Sequence, residues 1–138
     1  MGYYDSSGNI RAELLEDEAK SLAERFVTRL SRDPSKLVKR PGSTLSSAQL
    51  RRFFNEFRQL EKKVNLMGFE KVKPLIKMVK SKASYAANPS NPKIPESFRD
   101  FLIKNVDAIN AEQDFRAFML HFEAVVGFYY GIPGISSN

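Results

Sequence analysis

The sequence predicts an all-α protein, a single-domain bundle of about five helices. Apolar residues recur at helical i, i+4, i+7 spacing along nearly the whole chain. No useful length alternates with period two, and no internal repeat is present. Turn-forming clusters at Asp33-Pro34, Asn65–Gly68, Asn88–Pro95 and Gly131–Gly134 divide the periodic segments. With 138 residues and 42% hydrophobic content the chain is long and apolar enough to bury one core. The domain is expected to span 1–138, with 1–11 and 132–138 flexible.

The first helix is placed at Ala12–Ser31, with Leu15, Ala19, Leu22, Phe26 and Leu30 on one stripe. Glu13, Glu16, Asp17 and Glu18 lie in its first turns, where carboxylates complement the helix dipole. Asp33-Pro34 stops it, and Ser35–Ser43 is a connector. Ser46 or Ser47 can cap a second helix whose core positions are Leu50, Phe53, Phe54, Phe57, Leu60 and Val64. A third helix runs from about Glu70 to Ala86, with Val72, Leu75, Ile76, Val79 and Ala83 inward. Pro74 fits it only in the first turn, which places that start late. Three prolines in Asn88–Pro95 exclude helix there. Glu96–Asn110 forms a fourth helix with Phe98, Phe101, Leu102, Val106 and Ile109 inward. Glu112–Tyr130 forms a fifth, burying Phe115, Phe118, Met119, Phe122, Val125, Val126 and Tyr129.

Little in this chain suits a catalyst. The absence of cysteine excludes disulfides, thiolate metal sites and cysteine nucleophiles, and is compatible with a reducing cytoplasm. His121 is the only histidine, which excludes His-pair metal sites. Its neighbours Phe118, Met119, Phe122 and Val125 mark it as a packing or flanking residue. A single-histidine relay would need a nucleophile on a recognisable turn, and the only G-x-S-like candidate, Gly134–Ser136, lies in the tail. No HExxH, phosphate-cradling P-loop or GxGxxG pattern occurs. The expectation is therefore a non-enzyme with no cofactor and no metal. The apolar runs are too short to cross a bilayer, and Met1–Ile10 lacks a signal-peptide layout. A soluble cytoplasmic protein with no membrane contact is expected.

The charge distribution is more informative than the net +6. Residues 36–82 hold thirteen Lys/Arg against three Asp/Glu, whereas the flanks hold five against seven and four against six. A basic middle third between mildly acidic flanks suggests a surface for phosphate. In "QLRRFFNEFRQLEKKV", Gln49–Val64, the steps from Arg51 to Asn55, Arg58 and Lys62 line one helix face. Lys73, Lys77 and Lys80 repeat the pattern in the third helix, with Lys71 and Lys82 nearby. If these helices are antiparallel neighbours, their basic rows form one groove that grips a phosphate backbone without reading sequence. Arg52 and Lys63 lie on an adjoining stripe with Glu56 and can pair locally. Tyr85, beside Lys82 at the end of the third helix, could meet a sugar or base. The other aromatics have core spacing. Two alternatives stay open: a helix in a duplex-DNA groove, and a protein-binding module whose basic face meets an acidic partner.

Three stretches, "TLSSAQLRRFFNEF", "KMVKSKASYAA" and "DFRAFMLHFEAVVGFYYG", taken in order, resemble the small subunit of type III-A CRISPR interference complexes, the second protein of the Csm set. The shared patterns are Leu50-Arg51-Arg52-Phe53-Phe54, Lys82-Ala83-Ser84-Tyr85-Ala86, and the helix from Phe115 to Val126. The resemblance covers roughly residues 44–131, all but the N-terminal helix. It implies a non-catalytic subunit that repeats along the guide RNA complex as an inner filament in antiviral defence. Its implied partners are guide RNA and target RNA, other Csm subunits and copies of itself. Arg51 and Lys82 become the leading RNA contacts, with Arg52, Arg58, Lys62, Lys73, Lys77, Lys80 and Tyr85 completing the expected RNA-binding set. Relatives often carry an Arg shortly after the Tyr-Ala pair. Here Asn88-Pro89 stands instead, so a contact from that loop would fall to Lys93.

Overall fold

The computed structural model describes residues 2–135. Five α-helices follow in order: α1 (Asp17–Arg25), α2 (Ser47–Met67), α3 (Phe69–Ala86), α4 (Glu96–Ala108) and α5 (Glu112–Tyr130). A single 3-10 turn, Ala12–Leu15, precedes α1. Among the described residues only two isolated antiparallel bridges occur, Tyr4 with Ile10 and Arg29 with Leu37, so the fold is an all-α bundle. α1 packs chiefly on α5, α3 on α4, and α2 lies between α3 and α5.

The core is aromatic. Of the eleven phenylalanines, Phe26, Phe53, Phe57, Phe69, Phe98, Phe101, Phe115, Phe118 and Phe122 are buried, and Phe54 and Phe128 are half-buried. Rings meet edge-to-face, as in Phe57–Phe118 at 4.9 Å and Phe26–Phe98 at 5.1 Å between centroids. This geometry aims the positive ring edge at the negative ring face. The inward positions expected for α4 are all buried, as are those for α5 apart from half-buried Val126.

Helix ends follow their local chemistry in some places and not in others. The Ser46 hydroxyl accepts the Gln49 amide at 3.2 Å, capping α2. The Asp114 carboxylate accepts the Asn110 and Ala111 amides at 3.1 and 3.0 Å, which fixes the start of α5. The first helix is much shorter than the expected Ala12–Ser31. The chain breaks at Glu16, and α1 ends at Arg25. Beyond it the backbone finds partners elsewhere: Leu45 N–H donates to Phe26 O at 2.8 Å, and Val38 N–H to Thr28 O at 2.7 Å. β-branched Val27 and Thr28 favour this extended path. Leu14, not Leu15, is consequently buried, and Leu30 is exposed.

Two other boundaries differ from expectation. α2 runs through Asn65 and ends at Met67, leaving Gly68 as a one-residue elbow before α3. Gly68 has φ +90°, a region that side-chain-bearing residues rarely adopt. α3 therefore starts at Phe69, and Pro74 sits inside the helix beyond its first turn. The buried Phe69 ring holds the early start. α4 ends at Ala108 rather than Asn110, although Ile109 is still buried.

Residues 2–11 and 132–135 lie against the bundle. Tyr3 is buried and its hydroxyl donates to Asn105 Oδ1 at 2.9 Å, and Ile132 is buried. Ser136, the serine of the Gly134–Ser136 stretch named above, lies outside the described residues. Among the described residues no helix is long and apolar enough to cross a membrane, and no His/Asp/Glu cluster could hold a metal ion.

Candidate nucleic-acid interface

The cations of α2 and α3 do not form one double row. They divide among three flanks of the α2–α3 hairpin, because 100° of rotation per residue sends neighbouring side chains to different helices.

On the α5 flank lie Arg51 and Arg58. Arg58 Nη1 donates to Glu61 at 3.0 Å and its Nη2 to Glu123 of α5 at 3.3 Å. Its guanidinium also lies 4.9 Å over the Phe54 ring. Arg51 Nη1 is 3.4 Å from the Tyr130 hydroxyl of α5. By helical spacing Lys62 continues this row; it is exposed and has no partner among the described residues. Arg116 of α5 closes the seam by donating to Asn65 at 2.7 Å.

On the α4 flank lie Lys77 and Lys80, with Lys73 in the same row. Lys77 Nζ donates to Val106 O at 2.7 Å, a second hydrogen bond to the carbonyl that also accepts the capping Ile109 amide at the end of α4. Burial, then the like charges of Lys73 and Lys80, push the Lys77 ammonium below its ordinary pKa, against the opposing pull of Asp107 and Asp114. Lys80 Nζ pairs with Asp107 at 2.6 Å. The expected single groove edged by both rows is therefore absent. Arg58, Lys77 and Lys80 are committed to neighbouring helices.

The third flank is the seam between α2 and α3, and here a cleft forms. It has a volume of about 360 Å³ and is lined by Arg52, Glu56, Ser81, Lys82, Tyr85 and Lys93, among others. Lys82 Nζ forms an ion pair with Glu56, tying the two helices together across the seam. Arg52 is exposed and unpaired among the described residues. Tyr85 is 74% exposed, a large aromatic surface left in water at the cleft mouth. Lys93 comes from the α3–α4 loop, which is pinned to the helix end by the Lys93 and Ile94 amides donating to Ala86 O. Its ammonium lies 5.9 Å from the Tyr85 ring centroid, within cation–π range.

Of the expected set the structure thus gathers Arg52, Lys82 and Tyr85, and adds Lys93. Arg51, Arg58 and Lys62 lie to one side, and Lys73, Lys77 and Lys80 to the other. The cleft suits a nucleic-acid strand chemically, offering cations for phosphate and an exposed ring face for a sugar or base.

The family model Csm2 Type III-A matches residues 11–131. The chain belongs to the Csm2 family. This is the small-subunit family of the type III-A CRISPR Csm complex, the one its three motifs resemble. The match begins well before residue 44, so the 3-10 turn, α1 and the long connector belong to the family pattern as much as α2–α5 do. No curated protein and no solved structure matches the chain.

Proposed function

We propose that this Csm2-family chain is a non-catalytic RNA-binding subunit of the type III-A effector. In this reading it grips the backbone of guide and target RNA without reading sequence, and packs against other Csm subunits and copies of itself in the cytoplasm. The observation that carries the RNA contact is the α2–α3 cleft. There the unpaired Arg52, the Glu56-tethered Lys82 and the loop residue Lys93 surround an exposed Tyr85. Phosphate contacts of this kind position a strand and carry no base information.

The deciding experiment compares the unchanged chain with Arg52→Ala/Lys93→Ala, using several unrelated RNA oligonucleotides and one DNA duplex in competition. The expected result is a similar loss of affinity for every RNA, with helical content by circular dichroism unchanged. Loss confined to one sequence, unaltered affinity, or preference for the duplex would each overturn the proposal.

A further inference from the structure

A second cleft, of about 370 Å³, lies between the N-terminal segment, α1 and α4, and shares no lining residue with the basic cleft. That volume is in the range of small-molecule sites, which run from about 300 to 1,000 Å³. Leu22, Phe26 and Phe101 supply apolar wall. Arg25 of α1 and Lys104 of α4 line it as well, and both are exposed and without a hydrogen bond or ion pair among the described residues.

At its base is His121, whose side chain is almost wholly buried. One nitrogen is accounted for: Nδ1 lies 2.6 Å from Leu14 O, and a carbonyl can only accept, so Nδ1 carries the hydrogen. Nε2 is then a lone-pair acceptor, and no protein group among the described residues donates to it. Among the described residues no fully enclosed side-chain nitrogen or oxygen lacks a partner, so Nε2 retains access to solvent, and the cleft that His121 lines is the opening. Facing the imidazole are Arg11 and Lys104, which oppose its protonation, and Glu18, which favours it. Arg11 is held by Glu13 at 3.1 Å and Glu18 at 3.8 Å, and Asp100 by Arg99 at 2.9 Å, which leaves Arg25 and Lys104 as the cations available to a ligand.

We propose that this cleft binds a phosphomonoester, its phosphate held by Lys104 and Arg25 and sharing one proton with Nε2 of His121. The unpartnered cations select an anion. A carboxylate at neutral pH has no hydrogen to offer the Nε2 lone pair. A phosphomonoester monoanion does: its second ionisation lies near pH 6, so below about that pH it keeps one P–OH to donate to Nε2. The phosphate alone is much smaller than the cleft, so its organic body lies along Leu22, Phe26 and Phe101.

The test uses the full chain labelled with 15N-histidine, in which His121 is the only reporter. Phenyl phosphate and phenyl sulfate are titrated separately at pH 5.5, where the phosphate is mostly the monoanion, and the Nε2 resonance is followed. The expected result is a saturable shift with phenyl phosphate and none with phenyl sulfate, which has the same shape but no proton to share. Arg25→Ala/Lys104→Ala should weaken phenyl phosphate binding about tenfold or more. An unmoved Nε2, an equal response to the sulfate, or unaltered affinity in the double variant would overturn the proposal. Should that variant fail to fold, the two-ligand comparison on the unchanged chain still decides it.

Discussion

His121 shows how one residue's surroundings set its chemistry. Read in sequence it is a packing residue, and it is buried, its ring tilted against Phe101 at 5.7 Å between centroids and bonded to Leu14 O. Burial is the main influence on its pKa and lowers it, the Leu14 bond opposing. A histidine depressed in the folded state takes up its proton more readily when unfolded. Its contribution to stability is therefore fully present above the ordinary histidine range, is lost as pH falls through that range to the folded pKa, and is constant below. Urea midpoints should accordingly fall between pH 8 and pH 5.5, and the fall should be smaller in His121→Asn, which keeps a donor toward Leu14 and cannot titrate. An identical pH dependence in both chains would show that carboxylates, not His121, cause it. What sequence could not supply at this scale is the partner of each cation. Arg58 and Lys80 occupy regular basic rows, yet each meets a carboxylate from a distant part of the chain, Glu123 and Asp107. Pairing of that kind is set by tertiary packing.

At the scale of elements, legibility followed local chemistry. α5 was legible in full, since Asp114 marks its start and Gly131 its end, and α2 was legible at its Ser46 cap. The end of α1 was not, because Phe26 O and Thr28 are claimed by hydrogen bonds from Leu45 and Val38, far along the chain. α3 starts at Phe69 against the preference of Pro74, whose ring lacks the amide that would donate to Glu70 O and crowds that carbonyl. Such a proline costs an interior helix about 3 kcal/mol, less near an end. Pro74 is exposed, so Pro74→Ala removes no core contact. It should raise stability by about 1–2 kcal/mol, offset in part by a more flexible unfolded chain. A urea midpoint that falls would mean Pro74 fixes the angle between the Gly68 elbow and the rest of α3.

Across the whole molecule, most of the excess positive charge sits on α2 and α3, which send apolar residues inward and cations to the three remaining flanks, whereas most of the aromatic core comes from α4 and α5. The segregation was visible in the sequence; the partition was not, because it depends on which neighbour each flank of α2 and α3 meets. That partition bears directly on the proposed RNA binding. Counterion release makes the logarithm of affinity fall with the logarithm of salt, by about 0.7 per phosphate neutralised on a single strand. About four contacts would give a slope near −3. Cations already matched by carboxylates release fewer counterions when RNA arrives, so the unpaired Arg52 and the loop-borne Lys93 should dominate the slope. Removing both should flatten it by about 1.4. On the α4 flank, Lys80 is neutralised by Asp107, so Lys80→Ala should leave the slope nearly unchanged. Lys77→Met should act on stability alone, by about 1 kcal/mol, since Lys77 is spent on the Val106 carbonyl. Equal flattening by the cleft and α4-flank substitutions would mean that RNA breaks the ion pairs and wraps the whole hairpin. In that case the basic rows read from the sequence, rather than the cleft between the helices, would describe the surface that RNA meets.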